Sequence, residues 1–184
     1  MSKTTKILGV DPGTNILGYA CLLVKGDQLI CQRSGLLKMQ RYATQQEKLK
    51  HIFQRIRELV DNYQPVHMAI EAPFYGKNVQ SMLKLGRAQG VAIAAAMMSD
   101  VPVSEYSPKK IKLSITGSGN ASKEQVLGLL KHQVKMNAEV ETMDESDALA
   151  AAVCHYYQSQ SPLIGGKQFN NWDDFLKNNP DRIL

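Results

Sequence analysis

The spacing of apolar and polar positions changes character near residue 44. Before it, short runs rich in β-branched and aliphatic residues are separated by turn punctuation. "KILGV" (Lys6–Val10) reads as a buried strand, "DPGTN" as a turn, and "LGYACLLV" (Leu17–Val24) as a second strand. Gly26-Asp27 is a turn, and "QLICQRSGLLKM" is a third strand with a bulge expected at Gly35. Three strands joined by short loops predict an antiparallel meander. Beyond residue 44, Leu49, Ile52, Phe53, Ile56, Leu59 and Val60 mark one face of a helix, opened by the capping box Thr44-Gln45-Gln46-Glu47.

The remainder alternates. Val66–Ile70 is a strand, Asn78–Met98 a helix and Val101–Tyr106 a fifth strand. Pro108 opens a short helix, Ser122-x-x-Gln125 caps "KEQVLGLLKHQV", and Asp144–Gln158 is an alanine-rich helix. This order predicts an α/β fold: a five-stranded mixed sheet, the antiparallel meander plus parallel strands, with helices on both faces. Residues 1–158 form one domain. The segment 159–184 reads as a tail with one short helix from Trp172 to Lys177, and Met97-Met98 as core.

Carboxylates recur at the ends of these elements. Asp11 directly follows "ILGV", Glu71 follows "HMAI", and Asp144 and Asp147 stand three apart at the start of the last helix. Each has a simple structural explanation: Asp11 as a turn residue before Pro-Gly, Glu71 as a surface partner of Lys77, Asp144 as a helix cap. Asp147 fits such an explanation less well, because it shares a face with Ala150, Ala151 and Cys154. Parallel neighbouring strands would bring Asp11 and Glu71 to one sheet edge. Converging acids repel unless cations neutralise them, and oxygen ligands select Mg²⁺ or Mn²⁺. Such a site suits phosphoryl transfer assisted by a pair of ions.

Composition adds a direction. In 184 residues, Lys+Arg number 22 against 17 Asp+Glu, a net charge of +5 that fits a polyanionic partner. Lys77, Lys84 and Arg87 follow Glu71. Lys109, Lys110 and Lys112 lie in "SPKKIK", and Lys123 begins a helix. Phe74 and Tyr75, in a Pro/Gly loop, offer a stacking platform for unpaired bases. Cys21, Cys31 and Cys154 have no metal spacing and read as packed, reduced thiols in a cytosolic protein, and the four histidines show no ligand spacing. No secretion signal is expected, and "GVAIAAAMM" is too short to cross a bilayer.

Three stretches, "GVDPGTNILGYA", "AIEAPFYGKNVQSMLKLGRAQGVAIAAA" and "DESDALAAAVCH", resemble the RuvC family of bacterial Holliday-junction resolvases. The resemblance runs from about Lys6 to Gln158 and implies a ribonuclease-H-like fold. It implies catalytic, metal-binding acids at Asp11, Glu71, Asp144 and Asp147. Some relatives carry His at the third place; here it is Asp144, so the site is all-carboxylate. It further implies a Mg²⁺- or Mn²⁺-dependent homodimer nicking four-way junction DNA, working with the RuvA–RuvB branch-migration complex. Lys112 and Lys123 match residues that hold the scissile backbone, and the loop aromatic matches one that stacks on opened bases. The Asn78–Met98 helix is the expected dimer surface. Two other readings remain open here. One is an ATPase of the actin/sugar-kinase type, whose phosphate loop "VDPGTNILGYA" resembles, although 184 residues leave no room for two lobes. The other is a junction-binding module without catalysis.

Overall fold

The structure, a computed structural model, describes residues 4–73, 78–137 and 140–160. The elements in chain order are β1 (Thr4–Asp11), β2 (Ile16–Lys25), β3 (Gln28–Lys38), α1 (Gln45–Tyr63), β4 (His67–Glu71) and α2 (Val79–Met97). They continue with β5 (Val103–Tyr106), α3 (Pro108–Thr116), α4 (Lys123–Gln133), β6 (Val134–Met136) and α5 (Met143–Gln160). The described strands form one six-stranded sheet in the order β5-β4-β1-β2-β3-β6. β1, β2 and β3 pair antiparallel, whereas β4 runs parallel to β1, β5 to β4 and β6 to β3.

The mixed sheet and the meander match expectation; the strand count does not. Five strands were expected and six are present. β6 is three residues long, directly after α4, and pairs Leu29 with Val134 and Cys31 with Met136. Three residues are too few for a period-two signal, and its Val134 continues the apolar face of the preceding helix. The bulge also moves. Cys21 faces Arg33 while Leu22 faces Cys31, so the extra residue is Gln32, not Gly35. Gly35 answers a different need: it pairs with Tyr19, and a Cβ there would run into the Tyr19 ring.

Each strand feeds two cores. Alternation sends Ile7 to one face and Leu8 and Val10 to the other. α1 and α2 cover the Leu8/Val10 face with Ile52, Ile56, Leu59, Ala88 and Ala92. α3, α4 and α5 cover the Ile7 face with Ile111, Val126, Leu130 and the alanines of α5. Thr44 caps α1 in the expected box, its hydroxyl accepting from the Glu47 N–H and its own N–H donating to the Glu47 carboxylate. Phe53, expected inside, is 37 % exposed on the flank of α1, and Met97 and Met98, read as core, are 60 % and 67 % exposed. All three cysteines are buried. The helix expected at Trp172–Lys177 lies outside the described residues. No described helix is long and apolar enough to cross a membrane.

α5 lies unusually close to the sheet because two glycines lie beneath it. A Cβ on Gly9 would meet the Ala148 carbonyl, and one on Gly18 would meet the Asp144 carbonyl. Gly9 faces Ala20 and Gly18 faces Asp11 across the β1–β2 ladder, so the smooth track runs under the first turns of α5. Glycine is needed here for close approach of backbone to backbone. The alanine run of α5 completes the contact, with Ala148, Ala151 and Ala152 fully buried.

Candidate active site

Two strand ends and one helix start meet at one edge of the sheet. β1 and β4 are parallel neighbours with Val10 opposite Ile70, which sets Asp11 and Glu71 side by side as the next residues of their strands. α5 crosses above with its N-terminus at this edge. Oxygens of Asp11, Asp144 and Asp147 all lie within 4.8 Å of one another. Glu71 completes the group electrostatically, as its charge bears on Asp11 and that of Asp147 bears on it.

The carboxylates are held in tension. Burial pushes the Asp11 carboxyl up to about 8, and the charges of Glu71, Asp147 and Asp144 push the same way; only Lys123 pulls it back. Burial, followed by Asp147, raises Glu71 to about 7, against Lys123 and Lys112. Lys123, the first residue of α4, forms an ion pair with Asp147. The loop leaving Asp11 is tethered: Lys48 donates to the Asn15 side chain at 2.7 Å, and the Met39 N–H donates to the Asn15 carbonyl at 2.7 Å.

A further acid, Glu145, escaped the sequence reading. It is 7 % exposed, yet its carboxylate accepts from the N–H groups of Glu141 and Thr142, both at 2.9 Å, and from the Thr142 hydroxyl at 3.1 Å. The Thr142 hydroxyl in turn accepts from the Glu145 N–H. Thr142-x-x-Glu145 is therefore the capping box of α5, legible in "TMDE". It replaces the idea that Asp144 caps the helix, and it leaves Asp144 and Asp147 free to face the site.

Of the expected basic residues, Lys112 and Lys123 bear on the acids. Lys84 and Arg87 are exposed on α2. Phe74, Tyr75 and Lys77, the expected aromatic and basic contacts of the loop, lie outside the described residues. The histidines looked scattered in sequence, but the fold stacks His67 on His155, with ring centres 3.8 Å apart and planes at 14°. His155 Nδ1 shares a hydrogen bond of 2.8 Å with the Tyr106 hydroxyl, and His67 Nε2 shares one of 2.9 Å with Ser104. This network ties β4, β5 and α5 together, with Tyr106 also pairing with Glu71 across the β4–β5 ladder.

The donor set at the sheet edge is oxygen only, clustered and strained by like charge. That chemistry fits hard divalent cations, with Asp11, Asp144 and Asp147 as the ligands brought together and Glu71 beside them. The family model for crossover junction endodeoxyribonuclease RuvC matches residues 7–155. A crossover junction endodeoxyribonuclease RuvC of Porphyromonas gingivalis is 50 % identical over 185 residues, covering 98 % of each chain. That of Christiangramia forsetii is 52 % identical over 177 residues, covering 96 % of this chain and 92 % of the relative. A solved structure of Thermus thermophilus RuvC in complex with Holliday junction substrate superposes with a TM-score of 0.79 at 27 % identity, covering 85 % of this chain and 95 % of that one.

Proposed function

The chain belongs to the RuvC family of crossover junction endodeoxyribonucleases; it is a nuclease that resolves Holliday junctions, and we propose that Asp11, Glu71, Asp144 and Asp147 carry its catalysis. The observation that supports this most directly is the convergence of Asp11, Asp144 and Asp147 within 4.8 Å, on elements far apart in sequence. The ATPase reading falls with the family match, which spans residues 7–155.

Asp11, Glu71, Asp144 and Asp147 would together hold a pair of Mg²⁺ ions, for which Mn²⁺ would substitute, and these would supply an activated water and a counter-charge for the leaving oxygen. The chain does the rest. Burial at the sheet edge and the glycine-seated α5 keep the carboxylates at fixed separation, so little reorganisation accompanies the reaction. Lys112 and Lys123 hold the scissile backbone beside the acids. Lys77, Lys84 and Arg87 extend the basic surface along the DNA, and the positive charge makes binding steeply dependent on salt. Phe74 and Tyr75 stack on bases unpaired at the branch point.

A twofold assembly accounts for two matched nicks. Val79, Leu83 and Met97 are 66 %, 50 % and 60 % exposed, and with Gly86 and Gly90 they form one stripe along α2. That self-complementary apolar stripe is the surface of a homodimer. Residues 1–158 act as the nuclease domain, with 159–184 as an appended tail. The protein works in the cytoplasm with the RuvA–RuvB complex.

The deciding experiment is cleavage of a labelled four-way junction with and without Mg²⁺. The wild type should give paired nicks only with metal, and Asp147→Asn should bind the junction without cutting it. Metal-independent nicking, or full cutting by Asp147→Asn, contradicts the assignment. The same assay with Phe74→Ala should show weak cutting of intact junctions, partly restored when mismatches already open the crossover.

A further inference from the structure

Lys123 stands in two relationships at once. It is assigned above to the DNA backbone, yet its ammonium is paired with Asp147, one of the three acids whose oxygens converge. Its backbone is fixed. It is the first residue of α4, where the Ser122 N–H donates to the Gln125 side chain at 2.8 Å and the Ser122 hydroxyl accepts from the Gln125 N–H at 3.3 Å. Its side chain is not fixed in the same way, being 52 % exposed where Asp147 is 16 % exposed. A long, half-exposed stem on a rigid anchor is able to reach either a carboxylate below it or a phosphate above it. Among the described residues no other lysine or arginine forms an ion pair with these acids; the second pair, Arg55–Glu58, lies on α1. The ammonium also bears on Asp11 and Glu71, so its charge reaches beyond the carboxylate that it touches, and only at Glu71 does Lys112 add to it.

We propose that Lys123 and a divalent cation compete for the same carboxylate of Asp147, so that cation binding hands the Lys123 ammonium over to a DNA phosphate. An ammonium and a divalent ion on adjoining carboxylate oxygens repel each other strongly at such short range. The metal-free site is therefore closed by an internal counter-ion, and the freed ammonium appears next to the open N–H groups at the start of α4, where an anion is favoured. Loading of the metal and engagement of the backbone become one coupled event. The inference rests on the metal-site reading above.

The test measures Mn²⁺ binding to the full chain without DNA, by electron paramagnetic resonance, for the wild type, Lys123→Met, Lys112→Met and Asp147→Asn, each checked for folding by circular dichroism. Removing a competitor raises apparent affinity by the reciprocal of the fraction of sites it leaves free, so Lys123→Met should bind Mn²⁺ about two- to fivefold more tightly. Because the competition is a contact, the gain should persist at about 0.5 M salt, where longer-range charge effects are screened. Lys112→Met removes an equal charge without the contact and should lose most of its smaller gain at that salt. Unchanged or weaker Mn²⁺ affinity in Lys123→Met overturns the proposal, as does an equal, salt-resistant gain in Lys112→Met. Asp147→Asn separates the two levels. If it weakens Mn²⁺ binding while Lys123→Met changes nothing, the competition alone is wrong; if it leaves binding unchanged, the metal-site reading fails with it.

Discussion

The two ends of α5 each bury ionisable groups against the same face of the sheet, and they treat them in opposite ways. At the N-terminal end, Asp144 and Asp147 meet Asp11 and Glu71, and the group is relieved by one ion-paired lysine, Lys123, with Lys112 acting on Glu71 from farther off. At the other end, two turns along from Asp147, His155 stacks on His67 and bonds to Tyr106, and both rings are pushed down, His155 to about 4. The histidine end is neutral and finds its partners within the chain. The acid end remains short of positive charge. Buried ionisable groups alone therefore do not mark a functional site; what marks it is a charge deficit that the fold keeps instead of resolving.

That contrast breaks if the acid end proves structural. Asp11→Asn should reduce junction cleavage by about a hundredfold or more, as loss of an essential electrostatic group does. It should also stabilise the metal-free protein near neutral pH, by about 1–3 kcal/mol after allowance for water reaching the edge, because folding no longer has to bury and protonate a carboxyl that is ionised in the unfolded chain. Steady-state cutting and thermal melting in chelator check both signs. A destabilised Asp11→Asn would mean that the carboxylate is a structural partner.

The seat of the helix is the next lever. Gly18→Ala sets a methyl group against the Asp144 carbonyl and should cost about 1–3 kcal/mol. The loss of cleavage should exceed the loss of stability, since the first turn of α5 carries two of the acids. Melting beside single-turnover nicking measures the difference. A comparable glycine-to-alanine change at Gly128, where a Cβ meets nothing within 4 Å, is the control.

His155→Ala should do the reverse of Asp11→Asn. It removes the ring stack and the Tyr106 bond, costing about 1–2 kcal/mol, while cleavage at saturating metal stays near normal in protein that remains folded. A pH series sharpens the same opposition. Asp11 has its carboxyl raised from 3.8 to about 8, so its favourable share of stability is present below 3.8 and is lost as pH rises through 8. His155 is lowered from 6.5 to about 4, so the unfolded chain binds more protons between those values, and stability is lost as pH falls through that window. In the metal-free protein, Asp11→Asn should therefore remove a loss of stability with rising pH between about 4 and 8, and His155→Ala should remove a loss with falling pH between 6.5 and about 4.

Much of the fold and of the acid site is legible in the sequence. Asp11 and Glu71 stood out because each ends an apolar run, and parallel strands place such ends together. Thr44 and Ser122 announced their helices through local hydrogen bonding, which sequence records directly. The rest depends on contacts between distant segments. His67 and His155 are 88 positions apart, and only the antiparallel lie of α5 over β4 stacks them. Met97 and Met98 read as core on hydrophobicity, but Ala95 and Ala96 fill the inward side of that turn and leave the two methionines on its outward side. β6 exists because β3 offers an edge, not because three residues favour a strand. Glu145 is hard to tell apart in sequence because three acids stand in four residues, and only the fold makes one of them a cap.

β1 is central in the sheet, flanked by β2 and β4, and its alternating residues serve both hydrophobic layers. Neither layer is able to detach without opening it, so its amides should exchange with solvent only when the whole domain unfolds. The edge strands β5 and β6 should exchange earlier. Asp11 thus hangs from the slowest-opening thread of the fold, and the first carboxylate of the site should keep its place through local breathing that loosens α4 and its lysine.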